Sequence, residues 1–175
     1  MKKPLLLFLI AGTLIMMMVM AKTGASLKTP LTTLGILNLE FAYNPTMASE
    51  VINVWTGMSS ADNIGAAKFN TKLDFIFLSF YSLLLFYLCR LAAKSAAGYL
   101  YSTGILLAKG SIIAGLLDIL ENTGMLLELN GHITSSITFF TFICASLKWA
   151  LVLAAVLYIL INGSIILYKN ALTHS

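Results

Sequence analysis

Between Leu5 and Ala21 the chain places no charged residue, and three further long apolar runs follow it. A bilayer core is crossed by about 20 apolar residues in helical form. Inside that core each backbone N–H and C=O must be satisfied within its own segment, so such runs have to be helical. They fall at about residues 4–21, 73–93, 100–129 and 133–161. The expected fold is therefore all-α: a four-helix transmembrane bundle, with 1–175 forming a single integral membrane domain.

Composition points the same way. Only 10% of the residues are charged and 59% are hydrophobic, whereas soluble domains average about 25% charged. The net charge of +4 comes from Lys and Arg scattered singly, which excludes the basic patch that a nucleic-acid partner would need. Membrane lipid is the expected partner, and the sequence does not define an oligomeric state. Cys89 and Cys144 both lie in apolar runs, without the spacing of a metal or redox motif. They read as packing or lipid-facing residues.

Lys2-Lys3-Pro4 and the apolar run after them resemble a secretory signal peptide in layout, and Val19-Met20-Ala21 would serve as a cleavage site. The run of about 17 residues exceeds the usual ~7–15 of a signal peptide, which favours a retained first span.

Residues 22–72 form a polar segment between the first two spans. Asn44-Pro45 supplies an N-cap and a proline at the first helical position. Met47, Val51, Val54 and Trp55 then share one stripe, predicting an amphipathic helix from Pro45 to about Gly57. Trp55 is expected at the headgroup level. Ser59-Ser60 offers the cap of a second short helix through Ala66 to Asn70. "ILNLEF", Ile36 to Phe41, is ambiguous between strand and helix. Asn130-Gly131-His132 marks a turn, and Asn162-Gly163-Ser164 weakens the last span.

Lys2, Lys3, Arg90, Lys94 and Lys169 fall at one end of the bundle, and Lys22, Lys28, Lys68 and Lys72 at the other. By the positive-inside rule the termini are cytoplasmic and 22–72 is a small extracytoplasmic helical segment. The expected location is the bacterial inner (cytoplasmic) membrane.

Charged groups inside that membrane carry the functional question. Three of the seven acidic residues sit between Gly115 and Asn130. Asp118, Glu121 and Asn122 are spaced three and four apart, so they share one helix face. Ala114, Ser111 and Gly104 continue that face with residues small enough for close helix approach. On the fourth span Thr134, Thr138, Thr141, Ala145, Lys148, Val152, Ala155 and Tyr158 form a matching stripe. Asp74 and Tyr81 share a face of the second span. At 1.5 Å of rise per residue these groups lie at similar depths, in the outer half of the bilayer. A polar pocket of Asp74, Tyr81, Asp118, Glu121, Asn122 and Lys148, with Glu40 as a further acid, is the expected site. Glu128 reads as an interfacial residue.

"LNLEFA" at 37–42, "EVINVW" at 50–55, "LDFIFLSFY" at 73–81, "LLDILEN" at 116–122 and "LKW" at 147–149 occur in that order. Together they resemble a family of small, uncharacterised four-helix bacterial membrane proteins with an Asp-x-x-Glu-Asn signature in the third span. The resemblance implies four spans and an extracytoplasmic segment. It brings no activity, so no residue role is carried over.

Three uses fit these residues. The cluster is a buried ion-pair network that fixes helix register in a structural or accessory subunit. Alternatively it is a pocket for a lipid-like or small-molecule ligand, with or without acid–base chemistry. The third use is a proton relay in a small transporter. Asp74, Asp118, Glu121 and Glu40 are oxygen donors of the type that hold hard cations. Lys148 competes for the same carboxylates, and the Glu-x-x-His pairs of a di-iron bundle are missing from the sequence. Neither a metal nor a cofactor is expected, His132 and His174 read as solvated, and whether the protein is an enzyme is left open.

Overall fold

The computed structural model describes residues 3–57 and 63–173, with side chains through Ser164. All regular structure among them is helical: α1 Lys3–Thr23, a single 3-10 turn at Ala25–Leu27, α2 Leu37–Glu40, α3 Pro45–Thr56, α4 Asn63–Lys94, α5 Gly98–Leu129 and α6 Ser135–Thr173. Four of these, α1, α4, α5 and the Ser135–Ser164 part of α6, are long and apolar enough to cross a membrane. The fold is a four-helix bundle of the membrane class.

α5 is its central helix, packed on both α4 and α6, while α1 packs chiefly on α4. Small residues make the close approaches of α5 to its neighbours possible. A β-carbon at Gly104 would run into the Tyr158 hydroxyl, and one at Gly124 into the Thr141 hydroxyl. Lipid tails are as apolar as leucine, so helices in a membrane gain from such van der Waals contact rather than from the hydrophobic effect. α1 is the most lipid-facing of the four, with Leu7, Phe8, Leu14, Ile15 and Met18 exposed.

Local chemistry explains the helix ends. The Asn44 side chain accepts from the Met47 backbone N–H at 2.9 Å, and Pro45 occupies the first position of α3. α5 stops in a Schellman motif. The Gly131 N–H donates to the Glu128 carbonyl at 2.9 Å and the His132 N–H to that of Leu127 at 3.0 Å. The motif needs a left-handed residue, and Gly131 supplies it with φ of 91°.

Several boundaries differ from the sequence reading. Ser59 and Ser60 lie outside the described residues, and 63–70 is no separate short helix but the start of α4. α6 runs through Asn162-Gly163-Ser164 to Thr173, because one glycine in a long apolar helix costs too little to end it. Ile36–Phe41 resolves into the single turn α2.

Residues 24–57 fold onto one end of the bundle as a compact cap. Leu27, Leu39, Ala42, Ala48 and Trp55 pack together against Ala67 of α4 and Met125 and Leu129 of α5. Leu27 and Leu39 are fully buried, and each such side chain contributes roughly 1.5–3 kcal/mol. Trp55 sits inside this core, with its ring covered by the protein. Its indole N–H donates to the Leu27 carbonyl at 3.1 Å and to the Thr32 hydroxyl at 3.3 Å. A second apolar cluster, with Leu78, Leu85, Cys89, Ala108, Ala155 and Tyr158, lies deeper in the bundle. Polar side chains occupy the level between the two clusters.

Candidate functional site

Lys148 is the hub of that level. Its ammonium donates to the Glu121 carboxylate at 2.8 Å, to Asp118 Oδ1 at 3.1 Å and to Glu40 Oε2 at 3.4 Å. An ammonium has three N–H donors, so all three are spent on carboxylates. Lys148 is 5% exposed and Glu121 is fully buried. Each of the three acids comes from a chain segment fixed independently of α6. The spacing of three along α5 presents Asp118 and Glu121 together, and the single turn of α2 brings Glu40 down from the cap.

A second set of donors completes the arrangement. The Tyr81 hydroxyl donates to Asp118 Oδ2 at 2.6 Å. The Asn122 amide donates to Asp74 Oδ2 at 2.8 Å and to Asp118 Oδ1 at 3.3 Å, which ties α4 to α5. The Trp149 indole N–H donates to Glu40 Oε2 at 3.1 Å. The Lys148 ammonium also lies 5.6 Å from the centre of the Trp149 ring, within the range of a cation–π contact. Eight residues from four elements are thus joined through Lys148, Asp118, Asn122 and Glu40.

All seven sequence-derived candidates, Glu40, Asp74, Tyr81, Asp118, Glu121, Asn122 and Lys148, fall in this one connected group. Trp149 is an additional member. One position after Lys148, it points about 100° further round the helix, off the stripe that singled Lys148 out. Only the descent of Glu40 between the two faces makes them neighbours. Glu128, read from the sequence as interfacial, is buried within the protein at 1% exposed. The Thr141 hydroxyl nearby donates to the Ile137 carbonyl at 2.9 Å, and neither carboxylate oxygen of Glu128 has a hydrogen-bond partner. His132 is in the turn after α5, and His174 lies outside the described residues.

A cavity of about 390 Å³ adjoins the group. Glu40, Asp74, Tyr81, Asp118, Asn122, Lys148 and Trp149 line it, together with Thr13, Asn70 and Thr71, whereas Glu121 does not. Met17 and Met20 of α1, Phe77, Leu84 and Leu85 of α4, and Val152 and Val156 of α6 make its apolar sides. α1 and α6 both pack on α4 and line the cavity from two sides. Its volume falls within the about 300–1,000 Å³ of small-molecule sites, which are mostly apolar with a few convergent polar groups.

Charge is unbalanced. Four carboxyl groups face one ammonium, an excess of three negative charges when all are ionised. Burying uncompensated charge is costly, so the group is complete only with protons on some of its acids or a cationic partner. Among the described residues no group of three His, Cys, Asp or Glu side chains is arranged to hold a metal ion. The Lys148 ammonium fills the place among the carboxylates that a cation would take.

Fold and site together define a multi-pass membrane protein with a buried ion-pair network beside a cavity in the helix bundle. Comparison with family models, with curated proteins and with solved structures finds no match.

Proposed function

We propose that this protein binds an amphiphilic, lipid-like ligand within the membrane, its polar head against the Lys148 group and its apolar part between α1 and α6. The observation that carries the reading is one cavity lined both by the charged group and by apolar side chains of α1, α4 and α6. α1 packs on α4 rather than on α6, so the side of the cavity between α1 and α6 offers a lateral route from the bilayer. A charged group, an apolar wall and a lateral gap together match the head and chain of a lipid.

The same proposal places the protein in the bacterial cytoplasmic membrane with both termini inside, among the small four-helix proteins that its short motifs resemble. Support for the orientation comes from the sequence, in which Lys2, Lys3, Arg90, Lys94 and Lys169 flank the span ends of one side against Lys22, Lys28, Lys68 and Lys72 of the other. The cap and the polar group then lie in the outer half of the bilayer. Reporter fusions within residues 24–57 test this side assignment.

The test of binding is native mass spectrometry of the protein purified in a mild non-ionic detergent. A retained lipid-like adduct is expected, lost when Val156→Trp fills the apolar wall of an otherwise folded protein. Wild-type protein that carries no adduct, or an adduct indifferent to Val156→Trp, would sink the proposal.

A further inference from the structure

With the carboxyls ionised, every N–H or O–H donor of the charged group that lines the cavity is already spent. Lys148 gives its three to Glu121, Asp118 and Glu40, Asn122 its two to Asp74 and Asp118, Tyr81 its one to Asp118 and Trp149 its one to Glu40. What is left open is acceptor capacity alone. Asp74 Oδ1 and Glu40 Oε1 make no hydrogen bond to the described residues, on side chains that line the cavity. Asn122 Oδ1 also lacks a partner among the described residues, but it has no accessible surface toward the cavity. Turning the amide over would not help, because its two N–H bonds to carboxylates would become oxygen against oxygen.

A ligand head that only accepts hydrogen bonds, or carries negative charge, finds no donor here and meets an excess of carboxylates. A head that donates, and that is positive, fits both the open acceptors and the charge. We infer that the cavity selects an amphiphile with a primary ammonium head, held by Asp74 and Glu40 with its chain along Val152, Val156 and Met17. An ammonium has three donors and one positive charge, and hydrogen bonds between charged groups are about twice as strong as neutral ones. Lys148 is then a positioning residue: it holds Glu40 and Asp118 in place and makes no bond to the head. This inference rests on the proposal that the cavity takes an amphiphile.

The two readings are separated by three probes with one chain: dodecylamine, dodecanol and dodecyl phosphate. Each is titrated into the full protein in phosphatidylcholine discs, with emission of Trp149 in the cavity wall as the readout. A Trp55→Phe background removes the only other tryptophan. Dodecylamine is expected to bind at least about tenfold more tightly than dodecanol, and dodecyl phosphate more weakly than either. Asp74→Asn and Glu40→Gln should each shrink the preference for the amine over dodecanol. Competition by phosphatidylethanolamine discs identifies the bilayer's own aminolipid as the source, and lack of competition identifies a free alkylamine. Equal binding of all three probes, or preference for the phosphate, overturns the ammonium head and leaves the cavity reading standing. No response to any probe overturns both.

Discussion

Glu40 and Lys148 are 108 residues apart in sequence and 3.4 Å apart in space. One belongs to a single helical turn in the cap, the other to the middle of a membrane-spanning helix. Their contact, reinforced by the Trp149 indole on the same Glu40 oxygen, pins the cap to the bundle from below.

Glu40→Ala should therefore loosen the cap without dismantling the bundle. The apolar core around Trp55 still holds residues 24–57 to α4 and α5, so global unfolding is expected to change little. Hydrogen exchange should rise locally at Leu37–Phe41 and fall off toward α3. Unchanged exchange in that turn would show that the apolar core alone positions the cap.

Lys148→Met removes the only cation from among four acids, and the expected loss is about 3–5 kcal/mol, as for other broken buried pairs. Adding Asp118→Asn and Glu121→Gln should return a large part of it, because the charge left uncompensated disappears as well. Thermal unfolding of the single and triple variants in the same lipid measures this. A triple variant no more stable than Lys148→Met alone would mean that the lysine stabilises by packing. If the triple variant is stable but carries no adduct, the network serves the ligand as well as the fold.

Tyr81→Phe tests a single hydrogen bond. The phenol donates to Asp118 Oδ2 at 2.6 Å, and no other donor serves that oxygen. Leaving a buried acceptor unpaired costs about 1–3 kcal/mol, to be read as a fall in unfolding temperature. No fall would mean that water or a proton on Asp118 takes over.

Much of this arrangement was legible in the sequence, and its limits have one physical cause. Periodicity fixes which residues share a helix face, so Asp118, Glu121 and Asn122, the stripe through Lys148, and the Asp74–Tyr81 face could be read directly. Depth by rise per residue then brought those faces to one level. Periodicity is silent on what covers the end of a bundle. Trp55 and Glu128 were both expected at the membrane interface, and both are buried there because residues 24–57 fold over that end. Trp149 was missed for the same reason, since only Glu40 descending from the cap turns it into part of the site.

Glu128 offers a contrast with the Lys148 group. Its carboxylate is buried and neither oxygen has a hydrogen-bond partner among the described residues, so it brings a desolvation cost that the nearby Thr141 hydroxyl offsets only in part. Glu128→Met keeps the length and removes the polar atoms, and is expected to raise stability by about 1–2 kcal/mol. A loss of stability would reveal a role for the carboxylate that its surroundings do not explain.

The last prediction concerns how closely the helices must approach for the polar group to form. A β-carbon at Gly124 would meet the Thr141 hydroxyl of α6, whereas one at Gly163 meets nothing within 4 Å. Both glycines are in helices, so propensity alone would favour alanine at either by up to about 1 kcal/mol. Gly163→Ala is expected to follow that rule and be neutral or mildly stabilising. Gly124→Val is expected to cost about 1–3 kcal/mol through overpacking, despite its greater apolar area. Gly124 lies three residues beyond Glu121, so parting α5 from α6 there also lengthens the Lys148–Glu121 contact of 2.8 Å. Thermal unfolding should separate the two variants in opposite directions. If Gly124→Val is as stable as Gly163→Ala, the α5–α6 seam is not close-packed and the two helices do not hold Lys148 against Glu121.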